Sequence, residues 1–389
     1  MTYDTISARS MTAETILTNA RLVLPDAVIE GTLVLQGSVI RDVSPGRSSL
    51  PGAVDMDGDF LIPGIVDVHT DNLERQVQPR SNARWPSRSA LVAHDQQCAA
   101  AGVTTVLDAL CLGDLGFDKD RLRTFRDGVV DLDALSGTGL LKSEHFLHLR
   151  CEMPAEDVLA LVDPVADHPL VRMISLMDHS PGFGQYASLD RYRALRRKDG
   201  HTDEQINHQI ASLTDQRARL RAPNRAALLA RFAGSDVAIA SHDDETEAEV
   251  AENFTDGIRI SEFPVTLAAG QMARRHGMYV IAGAPNIVRG GSHSGNVSAA
   301  ELVRSGAADA LASDYVPAAL VEAAFLCARD IGISLPRAVA MVTDTPARMS
   351  GLTDRGRLEA GLRGDLVRVR VHEDLAIARQ VWCSGERVA

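Results

Sequence analysis

A repeated alternation of apolar, β-rich runs with stretches of helical apolar spacing constrains the fold of this chain most. The runs are Ile65–His69, Val103–Leu110, Phe146–Cys151, Val171–Met177, Val237–Ser241, Gly257–Phe263, Met278–Ala282 and Ala308–Ser313. Segments with helical spacing, such as Ala90–Ala101 and Ala318–Ile331, lie between and after them. Parallel strands joined by helices require this order, and eight such units close into a barrel. We therefore predict an α/β fold with a (β/α)8 TIM barrel at residues 63–354.

Both chain ends show short alternating strands broken by turn residues. We expect residues 16–62 and 355–389 to build one small composite β-sandwich domain, and residues 1–15 to form a flexible N-terminal extension. One linker, Leu189–Ala233, is too long for a simple crossover and is rich in charged residues with helical spacing. It predicts a helical insertion at about 189–233 that caps the barrel mouth or mediates assembly.

Composition excludes several classes of protein. The chain carries 40 Lys+Arg against 52 Asp+Glu, a formal net charge of −12, which argues against a general nucleic-acid binder. No apolar run reaches the roughly 18 residues of a membrane span, and the first residues lack the apolar core of a signal peptide. None of the 5 cysteines belongs to a CxxC motif, which argues against a disulfide framework and against a zinc site built from thiolates. We expect a cytoplasmic protein without a membrane partner, forming a homo-oligomer such as a dimer.

Polar side chains gather where the predicted strands end, which is where TIM barrels build their active sites. Three histidines and three carboxylates at five strand ends are the ligand types that hold one or two divalent metals, such as zinc or manganese. The predicted ligands are His69, Asp71, Glu152, His179, His242 and Asp314. Asp67 would orient the ring of His69. The alternatives are a strand-end histidine with a satisfied hydrogen bond, and an Arg150–Glu152 ion pair inside the barrel.

A glycine-rich loop follows the seventh predicted strand and resembles a phosphate cradle. Glycines allow backbone N–H groups to approach an anion, and arginine can bind phosphate oxygens through two donors. The predicted substrate-binding residues of this loop are Asn286, Arg289, Gly290, Gly291, Ser292 and His293. A run of arginines after the first strand is either a solvated face or an electrostatic funnel for an anion; its members are Arg75, Arg80, Arg84 and Arg88.

Six short segments carry a resemblance to a known family. They are residues 69–74, 147–152, 177–182, 241–244, 285–296 and 313–315. They resemble the amidohydrolase superfamily and, within it, a subfamily of triphosphate diphosphatases from the carbon–phosphorus lyase pathway of phosphonate degradation. The resemblance implies a small-molecule substrate, α-D-ribose 1-methylphosphonate 5-triphosphate, cleaved to the 5-phosphate and diphosphate. It adds Asn72 and Arg150 to the substrate-binding residues.

The chain departs from the wider superfamily in two places. Its first motif is His-x-Asp where many relatives have His-x-His, and no strand ends in a lysine that could bridge two metals, a role that Glu152 would take. We expect metal-bound hydroxide to attack the α-phosphorus, with Asp314, His242 and Arg150 as catalytic residues and Asp314 as base or proton shuttle. The alternatives are an amidohydrolase or deaminase acting on a cyclic amide or base, and a non-catalytic relative acting in binding or assembly.

Overall fold

A computed structural model describes residues 14–80, 83–116, 119–292 and 295–389 of the chain. The predicted N-terminal extension therefore lies largely outside the described residues. The strands are β1 Glu14–Val23, β2 Val28–Gln36, β3 Val39–Pro45, β4 Val54–Asp55, β5 Phe60–Pro63, β6 Ile65–Thr70, β7 Val103–Leu112, β8 Glu144–Glu152, β9 Val171–Met177, β10 Ala238–His242, β11 Ile260–Glu262, β12 Tyr279–Gly283, β13 Ala310–Ala312, β14 Leu366–His372, β15 Leu375–Cys383 and β16 Glu386–Arg387.

Strands β6 to β13 form a parallel sheet in which each strand pairs with the next along the chain. They correspond in order to the eight predicted runs, with end points that differ by a few residues. Every residue of β6 and β7 is buried, because parallel strands of this kind are covered on one face by helices and packed on the other against the barrel interior. The predicted TIM barrel is confirmed.

The barrel is closed at the first and last strands by backbone contacts of Asp314. Thr70 and Asp314 form a parallel bridge. The N–H of Asp314 donates to the carbonyl of His69 at 3.0 Å, and the N–H of Asp71 donates to the carbonyl of Asp314 at 2.6 Å. Three predicted metal ligands, His69, Asp71 and Asp314, are therefore placed by the hydrogen bonds that complete the cylinder.

The helices surround the barrel, and within the described residues none is both long and apolar enough to cross a bilayer. They are α1 Asn72–Val77, α2 Ser87–Ala100, α3 Lys119–Leu135, α4 Val158–Val162, α5 Leu189–Lys198, α6 Asp203–Phe232, α7 Glu247–Thr255, α8 Leu267–Arg275, α9 Ala284–Arg289, α10 Ala299–Arg304, α11 Ala319–Leu326, α12 Leu335–Ala340 and α13 Asp344–Met349. Helices α5 and α6 occupy the predicted insertion. A capping box at Thr202 and Gln205 begins the 30-residue helix α6.

Both chain ends join a second sheet, which is mostly antiparallel. Its strand order is β16-β15-β14-β5-β1-β2-β3, and β4 pairs with β1. Apolar residues from its two halves pack in one buried cluster; they include Leu17, Leu33, Leu61, Leu366 and Trp382. The predicted union of the two chain ends is confirmed, because β14 and β15 complete the sheet begun by the first five strands.

The two sheets meet at Gly64, between β5 and β6. A Cβ atom there would lie 2.2 Å from Oγ1 of Thr104 and 2.7 Å from Cβ of Asp365, so only glycine fits. Its N–H donates to the carbonyl of Asp365 at 2.7 Å. Arg355 and Arg363 both form ion pairs with Glu144 at the start of β8. These contacts hold the chain-end sheet against the barrel and fix the entry of β6.

A chain of buried polar groups lies between α2 and strands β7 and β8. Asp108 accepts hydrogen bonds from Nε2 of His94 at 2.7 Å and from Nδ1 of His145 at 2.8 Å. Nε2 of His145 lies 3.2 Å from Asp95. Burial alone would lower the pKa of His145, but the charge of Asp108 opposes burial and raises that pKa to about 9. His145 is therefore an imidazolium between two carboxylates at neutral pH.

We expect the unfolding free energy to fall as the pH rises from 6.5 to about 9, because the folded chain stabilises charged His145. This contribution is complete below the unfolded pKa of about 6.5 and is lost as the pH rises through the folded value. The shift corresponds to about 3 kcal/mol. Urea unfolding of wild type and His145→Gln at pH 6.5 and 9 measures it. The stability difference between them should shrink at pH 9, and a constant difference would contradict the prediction.

Candidate active site

A cavity of about 540 Å³ opens at the end of the barrel where the strands terminate. It brings together residues that are far apart in sequence and lie on different strands. The predicted site residues on its walls are His69, Asp71, Arg150, Glu152, His179, His242, Asn286, Arg289, Ser292 and Asp314. The convergence expected of these strand ends is therefore observed.

The fully buried carboxylate of Glu262, at the end of β11, orients two of the histidines. Its two oxygens lie 2.7 Å from Nδ1 of His69 and 2.6 Å from Nδ1 of His242. The hydroxyl of Ser175 also donates to Glu262 at 2.8 Å. Glu262 was not predicted as a site residue, although it lies one residue before the end of the predicted strand Gly257–Phe263. The prediction that Asp67 orients the His69 ring is wrong, because Asp67 accepts from backbone N–H groups of His69 and Ser313 instead.

One group of candidate ligands consists of His69, Asp71 and Asp314. A ligand atom from each lies within 4.8 Å of the others, and Nε2 of His69 is 3.6 Å from Asp71. Arg150 donates to Asp71 at 2.6 Å. The predicted alternative of an Arg150–Glu152 pair is therefore not observed, since Arg150 pairs with Asp71, which directly follows β6.

A second group consists of His179, His242 and Asp243, whose ligand atoms also lie within 4.8 Å of one another. Glu152 fixes His179 by accepting from its backbone N–H at 2.8 Å and its Nδ1 at 2.7 Å. Nε2 of His179 and Oδ2 of Asp243 are buried without a hydrogen-bond partner in the described part of the chain. Asp243 was not predicted as a candidate ligand, and its adjacency to His242 was the available signal.

The electrostatics of the site follow from burial and from the paired charges. Burial alone would lower the pKa of His69, but the charge of Glu262 opposes it and raises that pKa to about 10. Burial would raise the pKa of Glu262, yet His69 and His148 hold it well below its usual range. Burial dominates at Asp67 and raises its pKa to about 6.

The donor set of the two groups fits divalent metal ions. Imidazole nitrogens and carboxylate oxygens are preferred zinc ligands, and two buried donor atoms without partners suit an ion rather than a hydrogen bond. The first group would hold an ion through His69, Asp71 and Asp314. The second would hold one through His179, His242 and Asp243, with Glu152 beside it.

The glycine-rich loop contributes part of the opposite wall. Asn286, Arg289 and Ser292 line the cavity, whereas Gly290 and Gly291 are not among the lining residues. Gly290 has φ +77 and ends α9 in the left-handed conformation, which favours glycine. No carboxylate within the described ranges pairs with Arg289. The candidate His293 lies outside the described residues.

The structure places other residues that were predicted near the site away from the cavity. Asn72 is buried, and its amide contacts Nδ1 of His94 at 2.9 Å and Gln97 at 3.1 Å, so the structure does not bring it to the cavity. In the arginine run, Arg84 pairs with Asp127 and Arg88 with Asp131 on helix α3. Arg84 and Arg88 therefore do not line the cavity, whereas Arg75 donates to the carbonyl of Tyr315, a residue of the cavity wall, at 2.6 Å. Hydrogen bonding to local partners accounts for both outcomes.

Imidazoles and carboxylates at the open end of a closed parallel barrel define the class of metal-dependent barrel hydrolases. The amidohydrolase family model matches residues 224–389. Among curated proteins, α-D-ribose 1-methylphosphonate 5-triphosphate diphosphatase from Escherichia coli (strain K12) is 42% identical over 376 residues, which are 96% of this chain and 100% of that protein. The chain belongs to the amidohydrolase superfamily and is one of its hydrolases.

Solved structures agree with this assignment at the level of the fold. N-acetyl-D-glucosamine-6-phosphate deacetylase from Mycobacterium smegmatis has a TM-score of 0.61 at 17% identity, covering 96% of this chain and 100% of its own. Dihydropyrimidinase from Brevibacillus agri NCHU1002 has a TM-score of 0.64 at 11% identity, covering 96% of this chain and 95% of its own. At these identities, the two structures support the shared architecture alone.

We expect His242→Asn to lower both the divalent metal bound per chain and turnover, because the substitution removes an imidazole shared by Glu262 and the second group. Elemental analysis of the purified protein and an activity assay measure the two effects. His168→Asn is the matched control, since this histidine lies outside the cavity with its Nε2 3.5 Å from Asp133. Full metal content with normal turnover in His242→Asn would show that the ligand assignment is wrong.

Proposed function

We propose that this chain hydrolyses α-D-ribose 1-methylphosphonate 5-triphosphate to the 5-phosphate and diphosphate in phosphonate breakdown. The supporting observation is one cavity that holds two groups of metal-ligand residues together with the guanidinium groups of Arg150 and Arg289. The sequence similarity to the Escherichia coli diphosphatase, which is named for this substrate, extends over 96% of the chain. A highly charged substrate explains why cationic side chains lie beside the ligand groups.

One or two divalent ions, zinc or manganese, are the proposed cofactors. When bound, such an ion lowers the pKa of a coordinated water and compensates negative charge on phosphoryl oxygens. The side chains proposed to hold it are those of the two groups, while Glu152, whose two oxygens both accept from His179, would hold the ring of that histidine in place rather than replace a bridging lysine. Glu262 acts in this proposal by holding the rings of His69 and His242.

Arg150 is proposed to bind the reacting phosphate. One guanidinium nitrogen is used by Asp71 at 2.6 Å, while the buried Nε has no hydrogen-bond partner in the described ranges. A phosphoryl oxygen would satisfy that donor through a charge-assisted hydrogen bond. The ion pair with Asp71 holds the guanidinium beside the first ligand group, where negative charge develops during transfer.

Asp314 is proposed to accept the proton of the attacking water. Its backbone is held between β6 and β13 by hydrogen bonds to His69 and Asp71. Its φ of +56 is uncommon for a residue other than glycine, and such strain often occurs at functional sites. The barrel closure therefore gives this carboxylate a defined position next to His69 and Asp71.

We expect hydrolysis in oxygen-18 water to place the label in the ribose 5-phosphate, because the proposed attack occurs at the α-phosphorus and expels diphosphate. Mass spectrometry of both products measures the position of the label. Unlabelled water provides the control. Label in diphosphate would contradict attack at the α-phosphorus while leaving the hydrolase class intact.

We expect Arg289→Ala to lower kcat/KM on the triphosphate about tenfold to a hundredfold, as for loss of a charge-assisted hydrogen bond. Steady-state kinetics with the phosphonate triphosphate measures the effect. Arg304→Ala serves as a control, since this arginine is outside the cavity lining at the end of α10. A small loss in Arg289→Ala would favour the alternative hydrolase of a neutral cyclic amide, which does not need this cation.

A further inference from the structure

Cationic and hydroxyl groups beyond those already assigned also line the cavity, among them Arg121, Tyr186 and Arg196. Arg121 comes from α3, and Tyr186 and Arg196 follow β9. Arg196 belongs to α5, the first helix of the insertion, so the insertion contributes a side chain to the cavity wall. Its guanidinium is largely buried, with 11% of the side chain exposed. A buried cation at the wall of an anion-binding cavity indicates a role in recognition.

Aromatic packing holds this part of the wall in place. The ring centroid of Tyr192, which is fully buried, lies 5.2 Å from Cζ of Arg196. The rings of Tyr186 and Tyr192 pack edge to face at 5.5 Å, and Tyr186 in turn lies 6.1 Å from the ring of His179. This contact chain ties the insertion helix to the second ligand group, and it favours a preorganised position for Arg196.

Barrel order places this wall opposite the glycine-rich loop. Arg121 follows β7, Arg150 lies on β8 and Arg196 follows β9, whereas Arg289 follows β12. In a closed cylinder of eight strands, β8 and β12 are four strands apart and face each other. Candidate ligands at the ends of β6, β10 and β13 lie between these two walls. The cavity therefore has two cationic poles with candidate metal ligands between them.

The two poles differ in charge compensation. Arg121 lies 3.3 Å from Glu74, and Arg196 lies 3.2 Å from Asp199. Arg289 has no carboxylate partner among the residues described. A pole with compensated guanidinium groups suits an anion of lower charge, and the uncompensated one suits the triphosphate chain.

From this arrangement we infer that Arg196, Arg121 and Tyr186 form a second anion subsite, which binds the phosphonate group on C1 of the sugar. The inference rests on the proposed function and adds a specificity role for the insertion. In it, Arg289 and Ser292 face the phosphates, and the reacting phosphorus lies between the poles. Recognition of both ends would select a bis-anionic sugar over a plain 5-triphosphate, because each end contributes separately to binding.

Kinetics with two substrates tests the subsite: the phosphonate triphosphate and ribose 5-triphosphate, which lacks the phosphonate. We expect Arg196→Gln to lower kcat/KM about tenfold to a hundredfold on the first, mainly through KM, and by less than about twofold on the second. Arg197→Gln is the matched control on the same helix, since Arg197 is 54% exposed and pairs with Asp203. It should change neither value.

Equal losses on both substrates, or no loss on either, would contradict the subsite while leaving the proposed function intact. A metal-loaded wild type that cleaves neither triphosphate would contradict the proposed function, and the subsite with it. If wild type cleaves only the phosphonate substrate, the inhibition constant of ribose 5-triphosphate is compared instead. If Arg196→Gln does not fold, Arg196→Lys is measured instead. We expect this variant to lose several-fold in kcat/KM on the phosphonate triphosphate alone, because lysine keeps the charge but lacks the planar donor pair.

Discussion

The buried carboxylate of Glu262 is the interaction on which the geometry of the site depends. Removing a carboxylate from water is costly unless charged or hydrogen-bonding groups surround it. Here Nδ1 of His69, Nδ1 of His242 and the hydroxyl of Ser175 supply those contacts. The two rings are thereby turned so that their Nε2 atoms lie near Asp71 and Asp243, at 3.6 and 3.7 Å. One desolvated group thus orients a ligand in each of the two candidate metal groups.

Barrel closure supplies the second constraint, and it acts on the same residues. The bridge between Thr70 and Asp314 is a backbone feature of the fold, yet it places the side chains of Asp71 and Asp314 next to His69. The ion pair between Asp71 and Arg150 then brings a cation to that group. In an acidic protein, the cavity concentrates arginine at both of its walls. Ion pairs such as that between Asp71 and Arg150 therefore let candidate metal-ligand carboxylates and guanidinium groups share a small volume.

A site residue could be predicted from the sequence only where its immediate neighbours in the chain marked it. His69, Asp71, Glu152, His179, His242 and Asp314 stand at the ends of apolar runs, so strand order alone predicted their convergence. Glu262 was missed because a glutamate inside a β-rich run does not stand out until its burial is known. Asn72 was placed in the site on the family resemblance of residues 69–74, but the helix that begins there turns its amide toward His94.

The amino-acid sequence by itself determined the repeated strand–helix order, the strand character of both chain ends and the polar residues at the strand ends. These follow from local periodicity, which depends only on neighbouring residues. Tertiary structure decided which side chains meet across the barrel: Glu262 between two histidines, Asp243 beside His179, and Arg196 from the insertion at the cavity wall. Such contacts join residues far apart in the chain, and burial and charge compensation select them only after the cylinder has closed.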